Sequence, residues 1–263
     1  MKVITKDITY RYGDEIKIKP FGDLHVGSPE FDKASLLNFF SDIDDKTYLI
    51  GTGDLLDAII TTDKRYKKGV ENCETEAIID EQVNRLYDLL LPYKDKILAL
   101  GIGNHEETIV KNCNTNPIKR LCEKLNCEYL GMKWMIRLNL RTKSGRGRSI
   151  VIYGHHGYGG SSRTEGGNLT KFSKDLIYEE ADIYIFGHVH EKIYKIIPHG
   201  YHGGSKYLVK DRILMIGGSF KRNFSLNETT TWEEKMGFPP RALGGFTIRI
   251  KPNVSWVKMK VDG

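Results

Sequence analysis

Five short apolar runs in this chain each end in a glycine followed, directly or within two residues, by a side chain that can bind a metal ion. The runs occupy 16–21, 48–50, 97–100, 149–153 and 183–186. Apolar runs of this length, bounded by turn residues, predict β-strands. Because the carboxyl ends of strands in an open α/β sheet face a common crevice, the pattern predicts that side chains distant in sequence meet at one site.

The side chains after these glycines are carboxylates, an amide and histidines. They are Asp23 and His25, Asp54, Asn104 and His105, His155 and His156, and His188 and His190. Six of the eight histidines of the chain therefore lie at strand exits, which scattered core or surface histidines would not do. In an extended strand, residues two apart point the same way, so Asp23 with His25 and His188 with His190 would each place two ligands on one side if the extended geometry persists past the strand.

The ligand types indicate the chemistry. Carboxylate, imidazole and amide oxygen without thiolate suit two divalent metal ions, with manganese favoured and iron, zinc, nickel, cobalt or magnesium as alternatives. The four cysteines form no CxxC pair and are interpreted as reduced thiols. Asp54 is the natural bridge, because it is the only ligand in its motif. Two ions roughly 3.5–4 Å apart would acidify a bridging water and clamp phosphoryl oxygens, so no serine or cysteine nucleophile is needed.

The pattern of the whole chain predicts an α/β fold. Helices are expected at 33–43, 76–91, 116–126 and 169–179, and further strands at 3–10, 135–140, 213–216 and 246–250. Early β-α-β alternation followed by hairpin-like β structure predicts two packed mixed sheets with helices outside. We expect a single domain over 1–263, with a motif-bearing core at about 16–190. The part at 200–263 is expected to complete the sheets or cover the site.

Composition excludes some classes of protein. No run approaches the roughly 20 apolar residues of a membrane-spanning helix, and the polar start does not resemble a secretory signal, so a cytoplasmic protein is expected. The net charge of +6 favours a polyanionic partner such as DNA or RNA, although many ordinary enzymes are equally basic. The oligomeric state is not indicated.

The motifs GDLHVG, GTGDLLD, GNHE, GHHG and GHVH, in this order over about 16–190, resemble those of the calcineurin-like metallophosphoesterase superfamily. The resemblance implies a four-layer sandwich, in which two facing mixed β-sheets are flanked by helices, and a phosphate-ester substrate. It implies the following ligands: Asp23, His25 and His190 at the first metal, Asn104, His155 and His188 at the second, and Asp54 between them.

The resemblance also assigns residues that are not ligands. His105 would lie near the leaving-group oxygen as a proton donor or transition-state stabiliser. Asp57 would orient His105, although a carboxylate at a helix N-terminus is the alternative interpretation. The usual family pattern of His, any residue, then Gly or Pro favours His155 over His156, which leaves His156 as a contact to a ligand or to substrate. Ala58 stands where the protein Ser/Thr phosphatase branch has arginine, which argues against that branch.

Substrate selection is expected to lie in the loops between the motifs. Several basic side chains there could reach a phosphate backbone, and a solvated basic loop is the alternative: Arg65, Lys67, Lys68 and Arg163. The favoured function is that of a phosphodiesterase or nuclease. The alternatives are a phosphatase or pyrophosphohydrolase of small nucleotides, and a non-catalytic scaffold, stabilised by metal, that binds nucleic acid or protein. The complete ligand set and His105 favour an enzyme.

Overall fold

The computed structural model describes residues 1–63, 66, 78–145, 147–162, 164, 166–225, 230–252 and 257–263. Within these residues the strands are β1 (Lys2–Tyr10), β2 (Ile16–Phe21), β3 (Thr47–Gly51), β4 (Ile97–Gly101), β5 (Glu128–Gly131), β6 (Lys133–Thr142), β7 (Gly147–His155), β8 (Ile183–Phe186), β9 (Lys192–Gly203), β10 (Lys206–Gly217), β11 (Thr247–Pro252) and β12 (Val257–Asp262). The α-helices are α1 (Lys33–Phe40), α2 (Ile78–Leu90), α3 (Asn104–Cys113), α4 (Pro117–Leu125), α5 (Gly167–Ser173), α6 (Asp175–Tyr178) and α7 (Trp232–Lys235).

These strands form two six-stranded mixed sheets. The first has the order β1-β6-β7-β8-β10-β9, and the second has the order β12-β11-β2-β3-β4-β5. β2, β3, β4 and β5 run parallel, and β7 is parallel to β8. The predicted pairing of β6 with β7 is antiparallel, as expected for a hairpin.

The buried apolar side chains form three clusters that define the layers. One lies between the sheets and draws on both, for example Ile8 and Ile136 from the first sheet and Ile18 and Ile248 from the second. A second packs α1, α2 and α4 against the outer face of the second sheet. The third packs α5 against the first sheet. The predicted four-layer arrangement of two facing mixed sheets flanked by helices is therefore confirmed.

The sequence pattern predicts α1, α2 and α4, and the other helices differ from it. Asn116 accepts a hydrogen bond from the backbone N–H of Lys119 at 2.8 Å, and Pro117 follows it, as the predicted cap requires. The segment expected as one helix at 169–179 is divided into α5 and α6. α3, whose first turn is the Asn104–His105 motif itself, and the short α7 lie outside the predicted helices.

The region after 200 contributes to both sheets. β10 lies between β8 and β9 in the first sheet, while β11 and β12 extend the second sheet beyond β2. Between them, 218–225 runs along the loop that follows β2. None of the helices in the described ranges is long and apolar enough to cross a membrane.

Candidate metal centre

The loops that carry the predicted ligands leave strands of both sheets at the same edge. Those after β2, β3 and β4 come from the second sheet, and those after β7 and β8 come from the first. The facing sheets therefore bring residues more than 160 positions apart into hydrogen-bonding distance. Their polar side chains collect into two neighbouring groups.

The first group contains Asp23, His25 and His190, whose ligand atoms lie within 4.8 Å of one another. The Nε2 atoms of His25 and His190 are 3.2 Å apart, and His190 Nε2 is 3.4 Å from Asp23 Oδ1. Asp23 and His25 are buried, whereas the His190 side chain is 16% exposed. These three residues form a compact N₂O set with one open side.

The second group contains Asp54, Asn104, His156 and His188. Asn104 Oδ1 lies 2.7 Å from His188 Nδ1 and 3.1 Å from His156 Nε2. His156 Nε2 is also 3.2 Å from Asp54 Oδ2. This group offers two imidazoles, a carboxylate and an amide oxygen, again without a thiolate.

Asp54 lies between the two groups. Its Oδ2 is 3.2 Å from His156 Nε2 and 4.0 Å from His25 Nε2, while its Oδ1 accepts a hydrogen bond from the His105 backbone N–H at 2.9 Å. The backbone N–H of His188 donates to both carboxylate oxygens of Asp23, at 3.1 and 2.9 Å. The two groups are thus directly connected.

Backbone carbonyls orient two of the imidazoles. Thr52 O is 3.1 Å from His156 Nδ1, and Gly159 O is 3.0 Å from His188 Nε2. A carbonyl oxygen only accepts, so the facing nitrogen carries the proton. In neutral imidazole the other nitrogen then presents its lone pair to the centre, which is the arrangement typical of metal-bound histidine.

Five of these residues have a left-handed backbone. The φ angles are 49° at Asp23, 51° at His25, 47° at Asp54, 71° at His188 and 54° at His190. The extended geometry therefore does not persist at these pairs: β2 ends at Phe21 and β8 ends at Phe186, and the side chains project from turns beyond them. Such conformations cost on the order of 1–3 kcal/mol each and concentrate at functional sites.

The histidine after β7 that joins the centre is His156, whereas the sequence pattern favoured His155. His155 Nδ1 accepts from the Gly157 N–H at 2.9 Å, and its ring lies against Tyr158 and Phe186. Side chains alternate along a strand, so His155 shares the helix-covered face with Tyr153 and leaves His156 on the opposite face. The structure thus places His155 away from the other ligands.

Asp57 and His105 meet, but not through the expected carboxylate contact. His105 Nδ1–H donates to the backbone carbonyl of Asp57 at 2.5 Å, whereas the Asp57 carboxylate oxygen is 4.0 Å away. That carboxylate is closer to His25 Nδ1, at 3.3 Å. The Asp57 carboxylate therefore lies beside His25, and the Asp57 main chain orients His105.

Glu106 is a central residue of the site that the sequence interpretation overlooked. Its fully buried carboxylate accepts the backbone N–H groups of Gly103 at 2.9 Å, Leu56 at 2.8 Å and Asp54 at 3.2 Å. It therefore joins the start of α3 to the Asp54 loop. The available signal was an acidic residue three positions after Gly103, which is typical of a helix N-terminus. A Cβ at Gly103 would collide with Asp54, so only glycine allows this approach.

Electrostatics indicate that the centre favours a cation. Burial lowers the pKa of His25 well below its usual value, helped by the charges of His105 and Lys221, so His25 is neutral and able to coordinate. Burial raises the pKa of Asp54, but the neighbouring histidines outweigh it and hold that pKa well below normal. Burial lowers the pKa of His156, but the charge of Asp54 raises it to about 10. Acceptors surround His156 Nε2, and a metal ion would satisfy them in place of that proton.

The predicted substrate-binding residues Arg65, Lys67, Lys68 and Arg163 lie outside the described residues. Lys171, on α5, donates to the carbonyls of Tyr158 and Gly160, both at 3.0 Å, and so supports the loop after β7. The Tyr158 ring packs against His155 and Phe172.

Comparison with known proteins gives one family match and several solved structures. A family model described as calcineurin-like phosphoesterase matches residues 16–192. No curated protein sequence matches significantly. One similar solved structure is vacuolar protein sorting 29 from Cryptosporidium parvum, with 14% identity, a TM-score of 0.38, and coverage of 95% of this chain and 98% of that one. Another is a predicted phosphoesterase from Streptococcus pneumoniae TIGR4, with 12% identity, a TM-score of 0.32, and coverage of 95% and 99%.

The family match spans two thirds of the chain and contains every strand exit described above. Its range also includes all three groups of residues that could hold a metal ion in the described part of the chain: the two above and the group of His25, Asp57 and His105. The chain belongs to the calcineurin-like phosphoesterase family, and its class of activity is metal-dependent hydrolysis of phosphoesters.

Proposed function

We propose that this protein hydrolyses phosphodiesters with two divalent metal ions, and that DNA or RNA is the substrate. The observation that carries the proposal is the convergence of donors from five strand exits, five of them held in a left-handed backbone conformation. A structural role alone would not require that strain. The net charge of +6 supports a polyanionic substrate.

The geometry supports one division of the ligands. Asp23, His25 and His190 would hold one ion, Asn104, His156 and His188 would hold the other, and Asp54 would contact both. The set of oxygen and nitrogen donors suits manganese. Cys113, Cys122 and Cys127 are free thiols outside both groups.

Two bound cations would supply Lewis-acid stabilisation of the phosphoryl oxygens and make water more acidic. The chain's own residues position the rest of the reaction. Asp57 O fixes the proton of His105 on Nδ1, so that Nε2 would carry the proton given to the leaving oxygen. Glu106 holds the Asp54 loop, and the Asp57 carboxylate lies beside His25.

A substrate panel tests this function. Manganese-loaded protein is expected to cleave single-stranded DNA and bis-p-nitrophenyl phosphate faster than p-nitrophenyl phosphate or a nucleoside diphosphate, and EDTA should abolish the activity. Faster cleavage of the monoester or the diphosphate would favour a small-nucleotide hydrolase. Bound metal without turnover of any ester would indicate a scaffold.

Paired variants test the choice between the neighbouring histidines. His156→Ala is expected to lower the metal content by about one ion per chain, since it removes an imidazole from the second group. His155→Ala should retain both ions, because His155 faces the α5 side of the sheet. Elemental analysis after gel filtration measures the difference, and the opposite pattern would restore His155 as the ligand.

A further inference from the structure

The segment after β10 contacts the first group of ligands through their backbone. Ser219 Oγ and the Phe220 N–H both donate to the carbonyl oxygen of Asp23, at 2.8 and 3.1 Å. Ser219 and Phe220 are buried. The position of the next residue, Lys221, is therefore fixed relative to Asp23.

Lys221 is held on a second side as well. Its N–H donates to Ser219 Oγ at 3.0 Å, and its backbone forms an antiparallel bridge with Phe31, in the turn that follows His25. Its side chain is 15% exposed, and its ammonium lies 2.8 Å from Glu233 Oε1. Glu233, on α7, is 17% exposed. The pair is thus mostly buried, and it lies beside a segment that is hydrogen-bonded to the backbone of Asp23.

The charges of this pair act on the ligands. Burial lowers the pKa of Lys221, but Glu233 and the Asp57 carboxylate outweigh it and raise that pKa. Lys221 in turn lowers the pKa of His25, and His190 contributes to the lowered pKa of Glu233 after burial and Lys221. A permanent positive charge therefore stands within electrostatic reach of His25 and Asp57.

We propose that Lys221 binds the phosphate group of the substrate beside Asp23, His25 and His190, and that Glu233 holds its ammonium in place before substrate binds. This inference rests on the function proposed above. An ammonium has three donors, and Glu233 supplies its one side-chain acceptor among the residues that the structure describes. A phosphate oxygen is the natural second acceptor next to cations that attract the same group.

Arg241 provides the contrast. Its guanidinium donates to the carbonyl of Val189, between the two histidines of that loop, and to Ser161 Oγ at 3.1 Å. These contacts tie the loops after β7 and β8 together. Arg241 therefore stabilises the loops, and we assign the binding of substrate phosphate to Lys221.

Phosphate binding tests the proposal without requiring turnover. Calorimetric titration of manganese-loaded protein with inorganic phosphate is expected to give affinity roughly tenfold lower in Lys221→Gln, the loss of one charge-assisted hydrogen bond. Lys221→Arg should retain most of the affinity. Lys235→Gln, an exposed lysine of the same helix as Glu233, serves as the matched control and should bind as the wild type. Metal content and thermal melting are measured in parallel.

Glu233→Gln separates substrate binding from a structural ion pair. If Lys221 binds phosphate, removing its competitor should tighten phosphate binding severalfold, opposite in sign to Lys221→Gln. If the pair is purely structural, both variants should melt at a lower temperature and bind phosphate as the wild type does, and that result overturns the inference. A wild-type protein that binds no phosphate overturns it as well. If the protein hydrolyses esters but Lys221→Gln binds inorganic phosphate with wild-type affinity, the role of Lys221 is contradicted and the proposed function is not. If phosphate affinity depends on Lys221 but no ester is hydrolysed, the proposed function is contradicted and the role of Lys221 is not.

Discussion

Asp54→Asn is expected to release most of the bound metal from both groups and to reduce turnover by at least about 10³-fold, because each lost cation removes several kcal/mol of transition-state stabilisation. One oxygen of Asp54 lies near ligands of both groups, at 3.2 Å from His156 and 4.0 Å from His25. Asparagine has nearly the same shape but carries no charge. It therefore removes the anion that two neighbouring cations would share.

Elemental analysis of protein loaded with manganese and passed through gel filtration measures this effect. Asp45→Asn is the matched control, since Asp45 is fully exposed and contacts only Lys96, at 3.5 Å, among the described ion pairs. The control should hold two ions. Two retained ions in Asp54→Asn would contradict the bridging role.

The sequence predicted the strands that carry the site because their patterns are simple. β8 is buried at all four positions and reads as an unbroken apolar run, and β4 is buried along its length. Each run is followed by glycine and a polar ligand, which predicts where the strand ends. The prediction is accurate for β2 and β8, whereas β7 continues two residues further, to His155. That information is local, and it was sufficient to predict which loops meet.

The direction of each side chain at the site was not predictable in the same way. Whether the chain remains extended past β2 depends on the turn that brings Asp23 and His25 to positive φ. Gly53 and Gly103 allow the loops after β3 and β4 to pack closely against each other. Such turns are stabilised by tertiary contacts, among them the three hydrogen bonds to Glu106. The residue types of a motif do not specify these tertiary contacts.

The choice between His155 and His156 illustrates the difference between motif and geometry. A motif pattern counts residues from a glycine, whereas the sheet selects by the alternation of its faces. Ile150 and Ile152 face the core between the sheets, and counting in steps of two from them reaches His156. The alternation of side chains along β7 therefore predicts His156 as the ligand, whereas the motif pattern favours His155.

The region after 200 was hard to interpret because its strands lack a clear apolar pattern. β9 and the first half of β10 form a mostly exposed hairpin at the edge of the first sheet. Lys221 and Glu233 lie in segments without periodicity, and the role proposed for them depends on their ion pair and on the hydrogen bond from Ser219 Oγ to the carbonyl oxygen of Asp23. These long-range contacts leave no pattern in the sequence.

His105→Ala is expected to leave both ions bound and to slow DNA cleavage by about 10²–10⁴-fold, the usual contribution of a positioned proton donor. The ring lies edge-on to His25, with centroids 4.5 Å apart, but its Nδ1 is engaged by Asp57 O. His25, Asp57 and His105 also lie close enough together to hold an ion. The function proposed above instead assigns His105 Nε2 to proton donation, and on that assignment His105 is not a ligand. His202→Ala, at an exposed position of the β9 hairpin, is the control and should match the wild type.

The leaving group separates proton donation from a general loss of structure. p-Nitrophenolate is a stable anion that departs without a proton, whereas the alkoxide of a nucleotide needs one. The defect of His105→Ala should therefore be much smaller with bis-p-nitrophenyl phosphate than with DNA, while metal content stays at the wild-type level. Equal slowing on both substrates would contradict proton donation by His105. Metal loss as severe as in Asp54→Asn would instead make His105 part of the metal-binding set.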